Sequence, residues 1–281
     1  GKPRSLSFVS ATLRTLRDFF VWLADRPGYR SKLRYQDADY FKLTARDEKI
    51  AHASREIRVP ILEEVTRTIA AMPNGTDIER RDRALLALAL ITGARISALR
   101  TLKLKHVDLD RGCVYQDARD VHTKNGKSIL TPFFPISDDA REIVTDWVLH
   151  LRNGLGWPED APLFPRLKIG LRAHRFEVEG IEPVHYASDR PIRDVFRQAF
   201  EAAGVPDFNP HSFRKLIAHI GASRGLNAAE LKAWSMGLGH AHLGTMMQSY
   251  VTISRSEQEA LMRRIADAPE GDEEEMAIAA F

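Results

Sequence analysis

The residues best suited to chemistry stand in short, separated motifs that are rich in cationic side chains. Arg95 follows an apolar run, and Lys124 directly precedes the dipeptide Asn125-Gly126. His211 and Arg214 stand at the start of a predicted helix, where their i, i+3 spacing places both on one face. Free N–H groups and the helix dipole favour an anion at such a helix start. Each motif alone also fits an ordinary structural role, such as an arginine that extends from the core into solvent.

Two further motifs add a histidine and a nucleophile. His240 follows Leu238-Gly239, and Tyr250 comes ten residues later. Guanidinium groups match phosphate oxygens through paired hydrogen bonds, and a phosphoryl-transfer transition state needs positioned positive charge. A tyrosine hydroxyl attacks as a nucleophile when a neighbouring group assists the loss of its proton. His240 and His242 have no convincing additional ligands nearby in the sequence, so we expect no metal site.

Helices are predicted to carry most of these motifs. An amphipathic helix is predicted over residues 7–24, with Arg14 and Arg17 outside its apolar stripe. Residues 44–60 are polar and end at Pro60, which makes them a linker candidate. The apolar segment 84–91 predicts a helix that is buried on all sides. Further helices are predicted over residues 61–72, 138–152, 191–203, 210–224, 227–236 and 255–266.

A small antiparallel sheet is predicted between the helices. Residues 113–116, 120–122 and 128–134 resemble short strands, and Asn125-Gly126 indicates a hairpin turn in which both residues take positive φ. Residues 153–190 receive no assignment. The predicted fold class is therefore mainly α with a small antiparallel β-sheet (α+β).

Length and composition exclude several classes of protein. The 281 residues correspond to about two domains. With 44% hydrophobic and 28% charged residues, the composition is that of an ordinary globular protein. An apolar run long enough to span a membrane and a signal-peptide pattern are both absent from the sequence. Cys113 is the only cysteine, so an intrachain disulfide is excluded, and we expect a cytoplasmic protein.

The net charge is only +3, but the charged residues are distributed unevenly along the chain. Residues 265–281 contain six acidic residues and no base, so residues 1–264 carry a net charge of +9. A basic body suits a polyanion such as nucleic acid, although a solvated basic surface explains the charge equally well. Ile278 and Phe281 follow the acidic run, and we expect them either to dock into an apolar pocket or to remain a frayed end.

In their order along the chain, the motifs resemble those of the tyrosine recombinase (phage integrase) family: Arg … Lys … His-x-x-Arg … Leu-Gly-His … Tyr. The resemblance implies a catalytic domain over residues 58–266. Residues 1–57 then form a helical core-binding, or DNA-clamping, domain that is short and therefore partial. Residues 267–281 are an acidic linker and an apolar C-terminal tail.

The resemblance implies a site-specific DNA recombinase that cuts and rejoins DNA without metal, ATP or other cofactor. Tyr250 would attack the scissile phosphate and form a 3′-phosphotyrosyl bond. Arg95 and Arg214 would hold the non-bridging oxygens, and His240 would donate a hydrogen bond to the phosphate. Lys124 would be the acid for the leaving 5′ oxygen, with Lys127 as the second candidate, and His211 would accept the tyrosine proton. DNA contacts would come from Arg14, Arg17 and Lys127.

The expected partner is double-stranded DNA, bound by a tetramer on two sites that is monomeric or weakly associated without DNA. Three positions depart from the family pattern: Ala98 replaces a common acidic residue, Lys215 replaces a common histidine, and Tyr250 lies one residue further from His240 than usual. Two alternatives stay open. The same residue set could serve a DNA-relaxing type IB topoisomerase, and Ala98 and Lys215 could misplace the arginines in a catalytically silent DNA-binding relative. The target sequence is not readable, because phosphate contacts carry no sequence information. The expected location is the bacterial cytoplasm, in association with the nucleoid.

Overall fold

The computed structural model describes residues 3–53, 58–172 and 175–239, together with residues 244, 259, 262 and 263. The chain divides into two compact units, Gly1–Arg58 and Val59–Phe281. The predicted sites His240 and Tyr250 and the tail over residues 267–281 lie outside the described residues, as does nearly all of the helix predicted over residues 255–266.

The first unit contains helix α1 (Leu6–Ala24), a 3₁₀ helix (Tyr35–Tyr40) and helix α2 (Ala45–His52). The prediction of a helix over residues 7–24 is confirmed. The prediction of a linker over residues 44–60 is wrong for residues 45–52, which form α2. Thr44 caps that helix by accepting a hydrogen bond from the N–H of Asp47 at 3.1 Å, and acidic residues in its first turn favour the positive end of the dipole.

The apolar stripe of α1 is only partly covered within this unit. Phe20 stacks on Phe41 with ring centroids 4.8 Å apart. Two other aromatic residues of this helix, Phe8 and Phe19, are 51% and 48% exposed. Amphipathic spacing thus predicts the helix correctly, but it does not specify how much of the apolar stripe is buried.

The second unit is built around helix α4, whose C-terminal half is fully buried. Residues 84–92 of α4 are all buried, as the uninterrupted apolar run predicts, and α6 and α8 pack against this helix. Among the described residues, the helices of this unit are α3 (Leu62–Ala71), α4 (Asp77–Thr92), α5 (Ile96–Thr101), α6 (Asp138–Leu149), α7 (Arg190–Ala202), α8 (Pro210–Ser223) and α9 (Ala228–Gly237), with 3₁₀ turns at Leu104–His106 and Lys124–Gly126 and a π-helical turn at His150–Gly154.

A three-stranded antiparallel sheet has the order β1-β2-β3 (Val107–Asp108, Cys113–Gln116 and Ile129–Pro132). Gln116 pairs with Ile129, so residues 117–128 connect β2 to β3. The predicted strand over residues 120–122 is wrong, because this segment turns back and the N–H of Val121 donates to Asp117 O at 2.7 Å. Asn125 and Gly126 do take the predicted positive φ, at 62° and 60°.

A second sheet, a ribbon of β4 (Arg166–Arg172) and β5 (Arg175–Glu182), occupies the segment left unassigned from the sequence. Its cross-strand pairs Ile169↔Val178 and Leu171↔Phe176 are exposed, Phe176 by 82%. The alternation of Leu167, Ile169 and Leu171 was the available signal. The mainly helical α+β class is confirmed, and the described residues hold two small sheets where one was predicted. Among these residues, no helix has the length and apolar character needed to cross a bilayer.

Candidate active site

Arg95 is placed by a sharp turn at the end of the buried helix α4. Gly93 ends that helix with φ at +59°, a left-handed conformation that favours glycine. A Cβ on Gly93 would lie 2.8 Å from Leu238 Cδ2 and 3.0 Å from Ile217 Cδ1, so the turn is also tightly enclosed. The chain then leaves the core, and Arg95 takes the N-cap position of α5 with a partly exposed side chain.

Arg95, Lys124 and Lys127 line one groove of about 740 Å³. Its other walls come from β3 and the segment before it, and from the end of α9 (Asn125, Ser128, Ile129, Leu130, Pro132, Ala233, Met236, Gly237 and Gly239). Within the described part of the chain, none of the three cations has an ion-pair or hydrogen-bond partner. Positive charges without nearby carboxylates give the groove a potential that attracts a polyanion.

Arg214 lies in the interior and not among the residues that line this groove. Its side chain is 3% exposed, and its Nη1 and Nη2 groups donate to Gly93 O, at 3.2 Å, and to Leu238 O. Gly93 stands two residues before Arg95, and Leu238 stands two residues before His240. The guanidinium therefore holds the ends of α4 and α9 against α8.

His211 lies in the first turn of α8, as the sequence predicts. The Asn209 side chain accepts hydrogen bonds from the N–H groups of His211, at 2.9 Å, and Ser212, at 3.2 Å, and Pro210 takes the first helical position. The residue is exposed overall, but desolvation of the ring lowers the pKa of His211, and the charges of Lys215, Arg214 and Arg95 lower it further. A neutral imidazole can accept a proton.

The two remaining predicted site residues, His240 and Tyr250, fall outside the described residues. Gly239, which directly precedes His240, lines the groove, and a Cβ on it would lie 2.8 Å from Ile129 Cδ1. Of the departures from the family pattern, Ala98 is buried on α5, and Lys215 contributes positive charge near His211.

The predicted DNA contacts Arg14 and Arg17 both lie on α1 of the first unit. Arg17 Nη2 forms an ion pair with Asp39 Oδ1 at 3.3 Å between half-exposed side chains. The charge of Arg14 contributes to a lowered pKa of Glu48, after hydrogen bonds from His52 and Ser10. Their role in DNA contact stays a prediction. Among the described residues, no group of three or more His, Cys, Asp or Glu is placed to hold a metal ion.

Sequence reasoning did not identify Arg100 and His122, which contact each other and follow or precede groove residues in the sequence. Arg100 Nη2 lies 3.1 Å from His122 Nδ1, and its Nε donates to Asp189 Oδ1 at 2.9 Å. The available signal was proximity along the chain, since Arg100 shares α5 with Arg95 and His122 stands two residues before Lys124.

Comparison with known proteins gives a match to the sequence model of the phage integrase family over residues 61–257. Tyrosine recombinase XerC of Pseudomonas putida (strain W619) is 30% identical over 194 residues, which cover 68% of this chain and 55% of the relative. Tyrosine recombinase XerD of Neisseria meningitidis serogroup A is 29% identical over 185 residues, which cover 65% of this chain and 54% of the relative. The chain thus spans about half the length of the curated relatives it matches.

Two solved structures have a similar fold at low sequence identity. XerH site-specific recombinase, bound to a palindromic difH substrate in a post-cleavage complex, aligns with a TM-score of 0.57 and 16% identity over 92% of this chain and 69% of that one. XerA recombinase aligns with a TM-score of 0.51 and 16% identity over 93% of this chain and 90% of that one. At this identity the likeness supports the fold.

Proposed function

Because the chain belongs to the phage integrase family, we propose that it is a site-specific DNA recombinase that cuts and rejoins DNA through a phosphotyrosyl intermediate. The observation that carries the proposal is the groove lined by Arg95, Lys124 and Lys127, three cations without a carboxylate partner among the described residues. A scissile phosphate bound there would meet charge fixed in advance, which lowers the energy of a phosphoryl-transfer transition state.

The proposed division of roles follows the family motifs. Tyr250 attacks phosphorus, the bond from phosphorus to the 5′ oxygen breaks, and the tyrosine proton passes to His211, whose lowered pKa keeps the ring neutral. Lys124 donates a proton to the departing oxygen. Arg95, Arg214 and His240 contact the phosphate, although Arg214 must then act from a buried position.

The assembly belongs to the same proposal. We propose that two double-stranded DNA sites are joined by four copies of the chain, with Ile278 and Phe281 docking on a neighbouring copy. Arg14, Arg17 and Lys127 contact the DNA backbone. The location proposed for this activity is the bacterial cytoplasm, in association with the nucleoid.

Trapping of a covalent adduct tests the proposal. The substrates are nicked duplexes with a randomised central sequence. Cleavage releases a short fragment that carries the 5′-hydroxyl, so the reaction cannot reverse and the protein stays attached. Sequencing of the DNA in the recovered adducts then identifies the preferred site. We expect the wild-type chain to form adducts and Tyr250→Phe to form none while it still binds DNA, because only the nucleophilic oxygen is removed. Tyr115→Phe is the matched control, since Tyr115 is an exposed tyrosine on β2.

Each other result has a definite meaning. Adducts formed by Tyr250→Phe would assign the nucleophile to another residue. A wild-type chain that binds DNA and forms no adduct would be a silent DNA-binding relative. Adduct formation with relaxation of supercoiled DNA, but without pairing of two sites, would indicate a type IB topoisomerase.

A further inference from the structure

The segment that carries Lys124 is held to helix α5 at one residue, His122. Ser97 Oγ donates to His122 O at 3.0 Å, and the N–H of His122 donates to Thr101 Oγ1 at 2.9 Å. Arg100 Nη2 makes the third contact, to His122 Nδ1 at 3.1 Å. A backbone N–H, a backbone carbonyl and a ring nitrogen of one residue are thus bound by three residues of one short helix at positions i, i+3 and i+4.

Arg100 is itself held in place by two further contacts. Its Nε donates to Asp189 Oδ1 at 2.9 Å, and its Nη1 donates to Tyr186 O at 3.2 Å. The planar guanidinium is therefore oriented before it reaches His122. A guanidinium only donates hydrogen bonds, so His122 Nδ1 is the acceptor in this contact.

Beyond His122, the segment has few other restraints. The side chains of Lys124 and Lys127 are exposed and have no hydrogen-bond or ion-pair partner among the described residues. At the far end, the N–H of Ala118 donates to Ser128 Oγ at 3.1 Å and closes the base of the connection. Lys103 and Lys105 hold Asp120 at 3.1 and 2.8 Å, and Val121 is buried. After these two residues, His122 is the last residue before Lys124 that α5 holds. Because Arg95 is the N-cap residue of α5, the same helix relates the positions of both cations that line the groove.

We infer that Arg100, acting through His122, is a positioning residue that holds the Lys124 ammonium group at the departing 5′ oxygen. The inference rests on the proposed function, in which Lys124 is the acid. A displacement of about 1 Å in a catalytic group can cost roughly 100-fold in rate, so loss of one hydrogen bond at His122 is enough to be measured.

Substitution of His122 separates positioning from folding. His122→Ala removes the acceptor for Arg100 and keeps both backbone hydrogen bonds to α5. His122→Asn is the conservative partner, because its Oδ1 can accept from Arg100 near the place of Nδ1. Arg152→Lys is the matched control at a distance, since Arg152 also ties a carboxylate, Glu159, and backbone carbonyls within the same unit.

The diagnostic measurement compares oxygen and sulfur at the leaving 5′ position of the DNA recovered in the adduct selection. A thiolate leaves without protonation, so loss of the acid should matter little on the sulfur substrate. We expect His122→Ala to cleave the oxygen substrate roughly 10- to 100-fold more slowly than wild type, and to regain nearly the wild-type rate with sulfur. His122→Asn should lose little on either substrate.

Lys124→Ala is measured alongside, so the inference and the proposed function can fail separately. Rescue of Lys124→Ala by sulfur without rescue of His122→Ala would overturn the positioning role and leave the acid assigned to Lys124. Rescue of Lys127→Ala in place of Lys124→Ala would assign the acid to Lys127. That result would overturn both the positioning role of Arg100 and the assignment of the acid to Lys124.

Hydrogen exchange gives a readout that needs no activity. In the free protein, amides 123–127 should exchange faster in His122→Ala and Arg100→Lys than in wild type, and remain unchanged in Arg152→Lys. Unchanged exchange in this segment for both site variants would overturn the inference even if the chain cleaved no DNA.

Discussion

At Arg214, one buried guanidinium donates to the carbonyl oxygens of Gly93 and Leu238, which belong to the ends of two different helices. The planar fork of arginine suits two acceptors at fixed angles, whereas a lysine ammonium is a compact point charge. The motif residues Arg95 and His240 each follow one of these carbonyls by two positions. A residue identified for phosphate contact therefore also fixes the backbone that precedes two other members of the predicted site.

His211 gives a pH prediction at the same scale. Desolvation and three neighbouring cations lower its pKa in the folded chain, whereas the unfolded chain titrates near the ordinary value of about 6.5. The neutral ring is therefore favoured by folding. Its contribution to stability is complete above about pH 6.5 and decreases as the pH falls from there through the folded-state pKa.

Urea unfolding at pH 7.5 and pH 5.5 measures this effect. We expect wild type to lose more unfolding free energy between the two pH values than His211→Gln, which has no charge to gain. An equal loss in both proteins would mean that the ring titrates alike in the folded and unfolded chains.

At the scale of elements, Gly93 lets α4 end where α8 and α9 approach it. Gly93→Ala should destabilise the chain by about 2–4 kcal/mol, because a left-handed alanine costs roughly 1–2 kcal/mol and the added methyl group overpacks a closed site. Its Cβ would lie 2.8 Å from the buried Leu238 side chain and 3.0 Å from that of Ile217.

Gly156→Ala is the control for backbone strain alone. Gly156 has φ at +64°, and a Cβ there meets nothing within 4 Å. Urea unfolding should show a smaller loss for Gly156→Ala than for Gly93→Ala. Equal losses would show that the contacts of α4 with Leu238 and Ile217 adjust without cost.

Local chemistry explains which elements were predictable. The helix start at Asn209-Pro210 and the positive φ at Asn125-Gly126 depend on neighbours in the sequence, and both are confirmed. The segment over residues 120–122 was mistaken for a strand because its fold depends on distant groups. Lys105 and Lys103 hold the Asp120 carboxylate at 2.8 and 3.1 Å, and their hydrogen bonds keep the pKa of Asp120 well below its usual range.

The candidate site likewise has residues that the sequence predicts and contacts that it does not predict. Arg95 and Lys124 were selected from motif order, and the structure places both in one groove. The contact between Arg100 and His122 joins residues 22 positions apart and depends on how α5 packs against the segment after β2. Residue types and spacing predict the candidate site residues. The contacts that orient these residues form only when the helices have packed, so the sequence alone does not predict them.

At the scale of the whole molecule, charge is divided between a basic body and an acidic end. Residues 1–264 carry a net charge of +9, and the six acidic residues of 265–281 oppose it. Like charges repel one another and the phosphates of DNA, so we expect the acidic run to stay away from DNA. Residues 276–281, which follow it, include Ile278 and Phe281, two side chains that gain nothing from exposure to water.

A paired substitution tests whether these two side chains serve assembly. Burial of each on a neighbouring copy would contribute about 1.5–3 kcal/mol before the cost of ordering, which biases assembly on DNA without holding a tetramer in solution. Ile278→Ser with Phe281→Ser should therefore leave folding and DNA binding unchanged and slow recombination between two sites roughly tenfold or more. Ala277→Ser with Ala279→Ser is the matched control, because it adds the same hydroxyl groups without removing a large apolar side chain. Equal recombination rates in the two double variants would show that Ile278 and Phe281 do not dock on a neighbouring copy.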